Sequence, residues 1–258
     1  MRKEFVRDLV LAIVFFGTVF ACVNTIDWMS LIGIKSDFIE QQESKLIWKA
    51  VKVQFDEMQN DQVYAAVDSV VNNICLKNDI DTASVHVVIS CSREVNAFAT
   101  VGGHLIVNRG LLHDCRNESE LAGVVSHEIA HIQLHHLSST FQIELAMAAI
   151  SIMLTNGPKS DYITNTLYHL VHNAIARDKE TEADDQAVSY MEKAGYNPKD
   201  MANFMRRMQS CGMLEFLSDH PDCQKRACRI ENKAVHSKTP SRYILSDTTW
   251  KKMMKEVE

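Results

Sequence analysis

Between positions 117 and 131 the chain reads Asn-Glu-Ser-Glu-Leu-Ala-Gly-Val-Val-Ser-His-Glu-Ile-Ala-His, and this stretch does most to constrain the fold. Asn117 suits a helix cap, with Glu120 three residues later as in a capping box. In a helix that starts there, His127 and His131 are four apart and project from one face. Val124, Val125, Ile129, Ala130 and Ile132 make the same helix apolar around its circumference. Such a helix is buried on all sides, and two imidazoles and a carboxylate buried with it need partners.

Imidazoles one turn apart can share a metal ion, and Glu128, beside the first, can reach a water on that ion. This is the H-E-x-x-H arrangement of zinc peptidases. A chain of this composition matches it by chance about 0.03 times, so the motif alone is suggestive. A third protein ligand is needed. The stretch from Arg177 to Asp185 offers Glu180, Glu182, Asp184 and Asp185, which a helical wheel separates. With Glu180 at zero, Asp184 falls at about 40°, Ala187 at about 340° and Met191 at about 20°. Glu182, at about 200°, and Asp185, at about 140°, lie among Ser189, Glu192 and Lys193. Glu180 and Asp184 therefore face the core, Glu180 as the expected ligand and Asp184 as acceptor for a ligand imidazole N–H.

Residues 9–26 form an uncharged apolar run, LVLAIVFFGTVFACVNTI, behind Arg2, Lys3 and Arg7. This run is at the lower limit for a spanning anchor and also fits a signal peptide. Val19-Phe20-Ala21-Cys22 resembles a lipoprotein cleavage box, with lipidation at Cys22. An anchor, a lipoprotein and simple cleavage stay open, and each exports the remainder. The 27 Lys+Arg against 33 Asp+Glu give a net charge of −6 with no basic block, which argues against a nucleic-acid partner. Only 9 Gly and 4 Pro with 46% hydrophobic residues exclude collagen-like and disordered chains. No pair of the seven cysteines has CxxC spacing. Disulfides and reduced buried thiols are both compatible with the six beyond Cys22.

Residues 27–58 are expected as a connector ending in a helix over 41–58. A further helix is expected over 61–77, where Val63, Val67, Val70, Val71 and Ile74 recur at helical spacing. Strands are expected at 85–89, 95–99 and 104–107, the last two around a Gly102-Gly103 turn. Beyond Asn117 the pattern is helical, with breaks at 156–158, 195–198, 211–212 and 220–221. Residues 141–154 fit a core helix better than a second span. Few strands followed by many helices make the fold class α+β. Met201, Met205 and Met208 are spaced as core. His135 points further along the helix axis than His131. His136, like His86, His104, His113, His169, His172 and His236, belongs to no motif.

His127-Glu128-x-x-His131 followed by Glu180-x-x-Ala183-Asp184 resembles the zinc metallopeptidase family that includes HtpX, BepA and the CAAX prenyl endopeptidases. Asn96-Ala97-Phe98-Ala99 and Gly102-Gly103-x-Leu105-Ile106-Val107-x-x-Gly110-Leu111-Leu112 look like its cleft-bordering strand and following turn. His220-Pro221 with Arg226 is similar to an element of the periplasmic branch. The resemblance covers about residues 60–235. Two clear spans between the zinc helix and the third ligand are missing, which favours the envelope-located branch.

The resemblance implies a mostly helical, zincin-like α+β domain over 59–237, with a small sheet bordering the cleft. An N-terminal segment over 1–26 and a C-terminal tail over 238–258 would flank it. It implies one zinc ion on His127, His131 and Glu180, with Glu128 as general base. Asn96, Ala97, Phe98 and Ala99 would pair with an extended substrate. His220 would stabilise an oxyanion, ligate zinc reversibly or shape a turn; Arg226 would contact the oxyanion, pair with Asp184 or lie on the surface. The expected function is hydrolysis of unfolded or misassembled envelope proteins on the periplasmic side, with membrane attachment through the N-terminus. The alternative is a chaperone-like binding module using the same cleft.

Overall fold

The computed structural model describes residues 56–100, 102–136, 162–211, 222–234 and 241–258, together with Trp48 and Lys52. The apolar N-terminal run, residues 141–154 and His220 lie outside the described residues.

Helix α1 (Asp61–Lys77) starts where Asn60 Oδ1 accepts the amides of Gln62 and Val63, and it buries Val63, Val67, Val70, Val71 and Ile74. A short turn leads to β1 (His86–Ser90), followed by β2 (Ala97–Thr100) and β3 (His104–Asn108). The sheet order is β1-β3-β2, with β1 parallel and β2 antiparallel to β3. Gly102 and Gly103 join β2 to β3 with φ of 88° and 77°. A Cβ on Gly103 would meet the Ser84 carbonyl oxygen at 2.1 Å, so the turn admits only glycine there.

Helix α2 (Arg109–Asp114) leads into α3 (Glu118–Gln133), the central element. Every residue of α3 from Glu118 to Ala130 is buried, as its all-round apolar character requires. Helix α4 (Tyr162–Ala194), α5 (Pro198–Cys211) and α6 (Cys223–Lys233) surround it, and α3 packs on α1, α4, α5 and β2. α5 lies so close that a Cβ on Gly123 would stand 2.6 Å from Met201 Cβ. Met201, Met205 and Met208 are core residues. Residues expected as a tail carry α7 (Asp247–Val257), whose Met253 and Val257 are buried against α1 and α2.

The expected helix over 41–58 is corrected at its end. Glu57 bridges Ser90, the Met58 amide donates to the Ile89 carbonyl and the Cys91 amide to that of Asp56. Residues 56–58 therefore run extended beside β1, where sheet pairing supplies their hydrogen bonds. Cys75, Cys91, Cys115 and Cys228 are free thiols. Among the described residues, no helix is long and apolar enough to cross a membrane.

Candidate active site

The start of α3 is fixed by polar contacts at both ends of its first turn. Asn117 Oδ1 accepts the Glu120 amide at 2.9 Å, and Glu120 Oε2 accepts the Arg116 amide at 2.8 Å. Arg207 of α5 donates to both Glu120 oxygens, at 2.7 and 2.8 Å. Glu118, also buried, accepts from Tyr196 Oη at 2.7 Å and from the Ile244 and Leu245 amides at 2.9 Å each. These contacts set the rotation of α3 and hence the direction of the side chains one and two turns later.

His127 and His131 bring their Nε2 atoms within 3.1 Å of each other. Glu180, from α4, sits against both, with Oε2 3.4 Å from His127 Nε2 and Oε1 3.2 Å from His131 Nε2. Asp184, one turn later, places Oδ1 3.1 Å from His127 Nδ1. Glu180 and Asp184 are buried, whereas Glu182 is exposed and Asp185 half-buried, the division the helical wheel expects. Arg226 is buried rather than on the surface. Its guanidinium pairs with Asp184 at 2.7 Å and Glu180 at 2.6 Å. Arg229 adds a contact to Asp184 at 3.1 Å.

Electrostatics follow from this packing. Burial disfavours charge on His127, and Arg226 opposes it too. The Glu180 carboxylate and hydrogen bonds to Asp184 and Glu180 outweigh both, pushing His127 up to about 9. Burial alone would raise Asp184, but Arg226 and His127 bring it down to about 2. His131 is lowered, mainly by burial. Glu128, Glu180 and Asp184 are three buried acids, with Arg226 buried among them and Arg229 reaching Asp184 from the pocket's edge.

Three donor atoms, one each from His127, His131 and Glu180, lie within 4.8 Å of one another. Two nitrogens and a carboxylate, each imidazole with its second nitrogen engaged, fit a divalent transition metal of the zinc type. Glu128 Oε2 accepts the Ala99 amide at 2.9 Å, tying the expected base to β2. Among the described residues β2 is an edge strand. Backbone groups two residues apart share one edge, so Ala97 directs its amide and carbonyl to the same side as Ala99. Asn96 is buried and Phe98 half-buried.

His136, which fits no motif, is the correction to the sequence reading. Its Nδ1 lies 3.0 Å from His131 Nδ1, and its Nε2 is 3.3 Å from Glu182 Oε2. Five residues past His131 it would leave the face of a regular helix. α3 instead ends at Gln133, and His135 adopts φ +52°, turning the chain back. The one legible signal was a His-His pair directly after the motif helix.

Two imidazoles on one helix, a carboxylate from a second and an acid beside a sheet edge define a metallopeptidase of zincin-like architecture. Residues 57–234 match peptidase family M48, and the chain belongs to that family. It is 29% identical over 172 residues to the metalloprotease YcaL of Escherichia coli, covering 63% of this chain and 67% of that protein. Against the beta-barrel assembly-enhancing protease of Yersinia pestis it is 28% identical over 170 residues, 59% of this chain and 35% of that one. The metalloprotease LoiP of Escherichia coli is 25% identical over 167 residues, with 61% and 66% covered. This chain thus matches about a third to two thirds of these relatives' lengths.

Proposed function

We propose that this metallopeptidase is a zinc-dependent endopeptidase of the cell envelope that cleaves unfolded or misassembled proteins. The observation that carries the reading is the convergence of His127, His131 and Glu180 beside Glu128, itself bonded to an edge strand. His127 and His131 would hold zinc through Nε2 and Glu180 through a carboxylate oxygen. Zinc there would supply Lewis acidity, polarising a carbonyl and making water nucleophilic near neutral pH.

The chain's own groups do the rest. An extended peptide would add beside β2, along the side that faces away from β3 among the described residues. A strand-shaped site of this kind selects flexible segments over folded ones. Glu128 would take a proton from the attacking water and return it to the leaving amine. Ala99 N–H holds that carboxylate at the strand edge where the scissile bond would lie. Asp184 would fix the His127 ring, with Arg226 balancing the buried acid.

Export is supported by the uncharged run at residues 9–26, attached to the membrane as an anchor or through Cys22. A quality-control role is supported by the name of the beta-barrel assembly-enhancing protease of Yersinia pestis. The test is hydrolysis of casein, an unfolded protein, by the purified zinc-loaded chain, wild type beside Glu128→Gln. Cleavage by wild type alone, abolished by a chelator, is expected. Equal cleavage by Glu128→Gln would overturn the mechanism. No cleavage by a zinc-loaded wild type would favour the binding-module reading.

A further inference from the structure

We propose that His136 and Glu182 form a positioning pair that fixes the tautomer and orientation of His131 and thereby sets the affinity for zinc. The proposal rests on the reading of His131 as a ligand.

Metal ligation at His131 orients the hydrogen-bond chain. Glu182, as a carboxylate, offers only lone pairs, so His136 must carry its hydrogen on Nε2 to make the 3.3 Å contact. A neutral His136 then has its lone pair on Nδ1. The 3.0 Å contact between the two Nδ1 atoms requires one donor, and with a metal on His131 Nε2 in place of a hydrogen bond to Glu180 that donor is His131. With its hydrogen on Nδ1, His131 directs the lone pair of Nε2 to the point shared with His127 and Glu180. That is the tautomer a metal requires, since a ligating nitrogen is unprotonated and its partner nitrogen donates outward.

The local backbone holds this arrangement in place. His135 at φ +52° reverses the chain after α3, and Lys179 Nζ donates to the His136 carbonyl at 2.8 Å. Lys179 and Glu182 thus grip His136 from one turn of α4, while Glu180, between them in sequence, faces the two imidazoles. The same helical turn supplies the third ligand and the support for the second. His127 is held differently, by the buried acid Asp184 directly. His136 is itself buried while the Glu182 side chain is 62% exposed, so the pair reaches from the site to the surface.

The experiment is zinc titration of chelator-stripped protein in competition with a chromophoric chelator, with thermal unfolding of the metal-free protein measured alongside. His136→Ala should raise the zinc Kd about 10- to 100-fold. His136→Asn, whose side-chain oxygen can accept the His131 hydrogen, should recover most of that loss. Glu182→Ala should weaken binding by a smaller factor and leave the Tm of the metal-free protein unchanged. A wild-type Kd in His136→Ala overturns the proposal, as does a Kd in His136→Asn as weak as in His136→Ala. Should His136→Ala fail to fold, an unchanged Kd in Glu182→Ala overturns it instead. A wild type that takes up no zinc refutes the metal-site reading underneath. A zinc-binding wild type with indifferent variants refutes the positioning pair alone.

Discussion

The Ala99 amide donates to Glu128 Oε2 at 2.9 Å, so the edge strand and the proposed base are held by one hydrogen bond. β2 thus orients the Glu128 carboxylate through Ala99, beside the edge proposed to receive a peptide. The amide points away from β3, and proline at 99 would remove it without breaking the ladder.

Ala99→Pro is therefore expected to fold and to bind zinc stoichiometrically while kcat falls about tenfold, the cost of about 1.5 kcal/mol for one bond to a charged group. Steady-state kinetics on a fluorogenic peptide, with zinc content by atomic spectroscopy, checks this. Wild-type kcat would show that the bond does not position Glu128.

Glu180→Ala should abolish stoichiometric zinc binding, whereas Glu182→Ala should keep a full equivalent at saturating metal. The two acids stand two residues apart on α4, yet Glu180 reaches the His127 and His131 imidazoles while Glu182 reaches that of His136. Metal content after dialysis against excess zinc decides, and the reverse pattern would reassign the third ligand.

Arg226→Ala leaves Asp184, which is 0% exposed, without its main counter-charge, a loss of about 3–5 kcal/mol. Arg229→Ala should cost about 1 kcal/mol or less, because its side chain is 30% exposed and Arg226 stays in place. Urea unfolding of the chelator-treated proteins compares the two. Equal losses would mean that Asp184 is not held chiefly by Arg226.

Alkaline pH should destabilise the fold through Tyr64. Burial raises its phenol, the Ile89 amide opposes this, and the Glu57 carboxylate adds to the rise, to about 12. The folded state thus keeps the proton more tightly than the unfolded chain, whose phenol titrates near 10. Stability is complete below pH 10 and declines as pH climbs toward 12. Tm measured from pH 9 to 11.5 should fall less steeply in Tyr64→Phe; an unchanged slope would remove Tyr64 from the account.

Much of the site was legible because it rests on regular helices. Four-residue spacing aligns His127 with His131, and the same periodicity separates Glu180 and Asp184 from Glu182 and Asp185. What escaped depends on where regularity stops. His136 returns to the site through a left-handed residue that no helical wheel contains. The extended backbone at 56–58 follows from pairing with β1, a contact more than thirty residues away. Arg226 had three readings, because its direction is set by how α6 packs on α4 and α5.

Glu118 carries a consequence for the order in which the molecule is made. Its three donors, Tyr196 and the amides of Ile244 and Leu245, are all synthesised long after it. A nascent chain that has emerged only to the motif helix carries a carboxylate it cannot bury without loss. The Glu118 carboxylate gains its last two donors only when residues 244 and 245 arrive, so this buried acid at the start of the motif helix is satisfied late in synthesis.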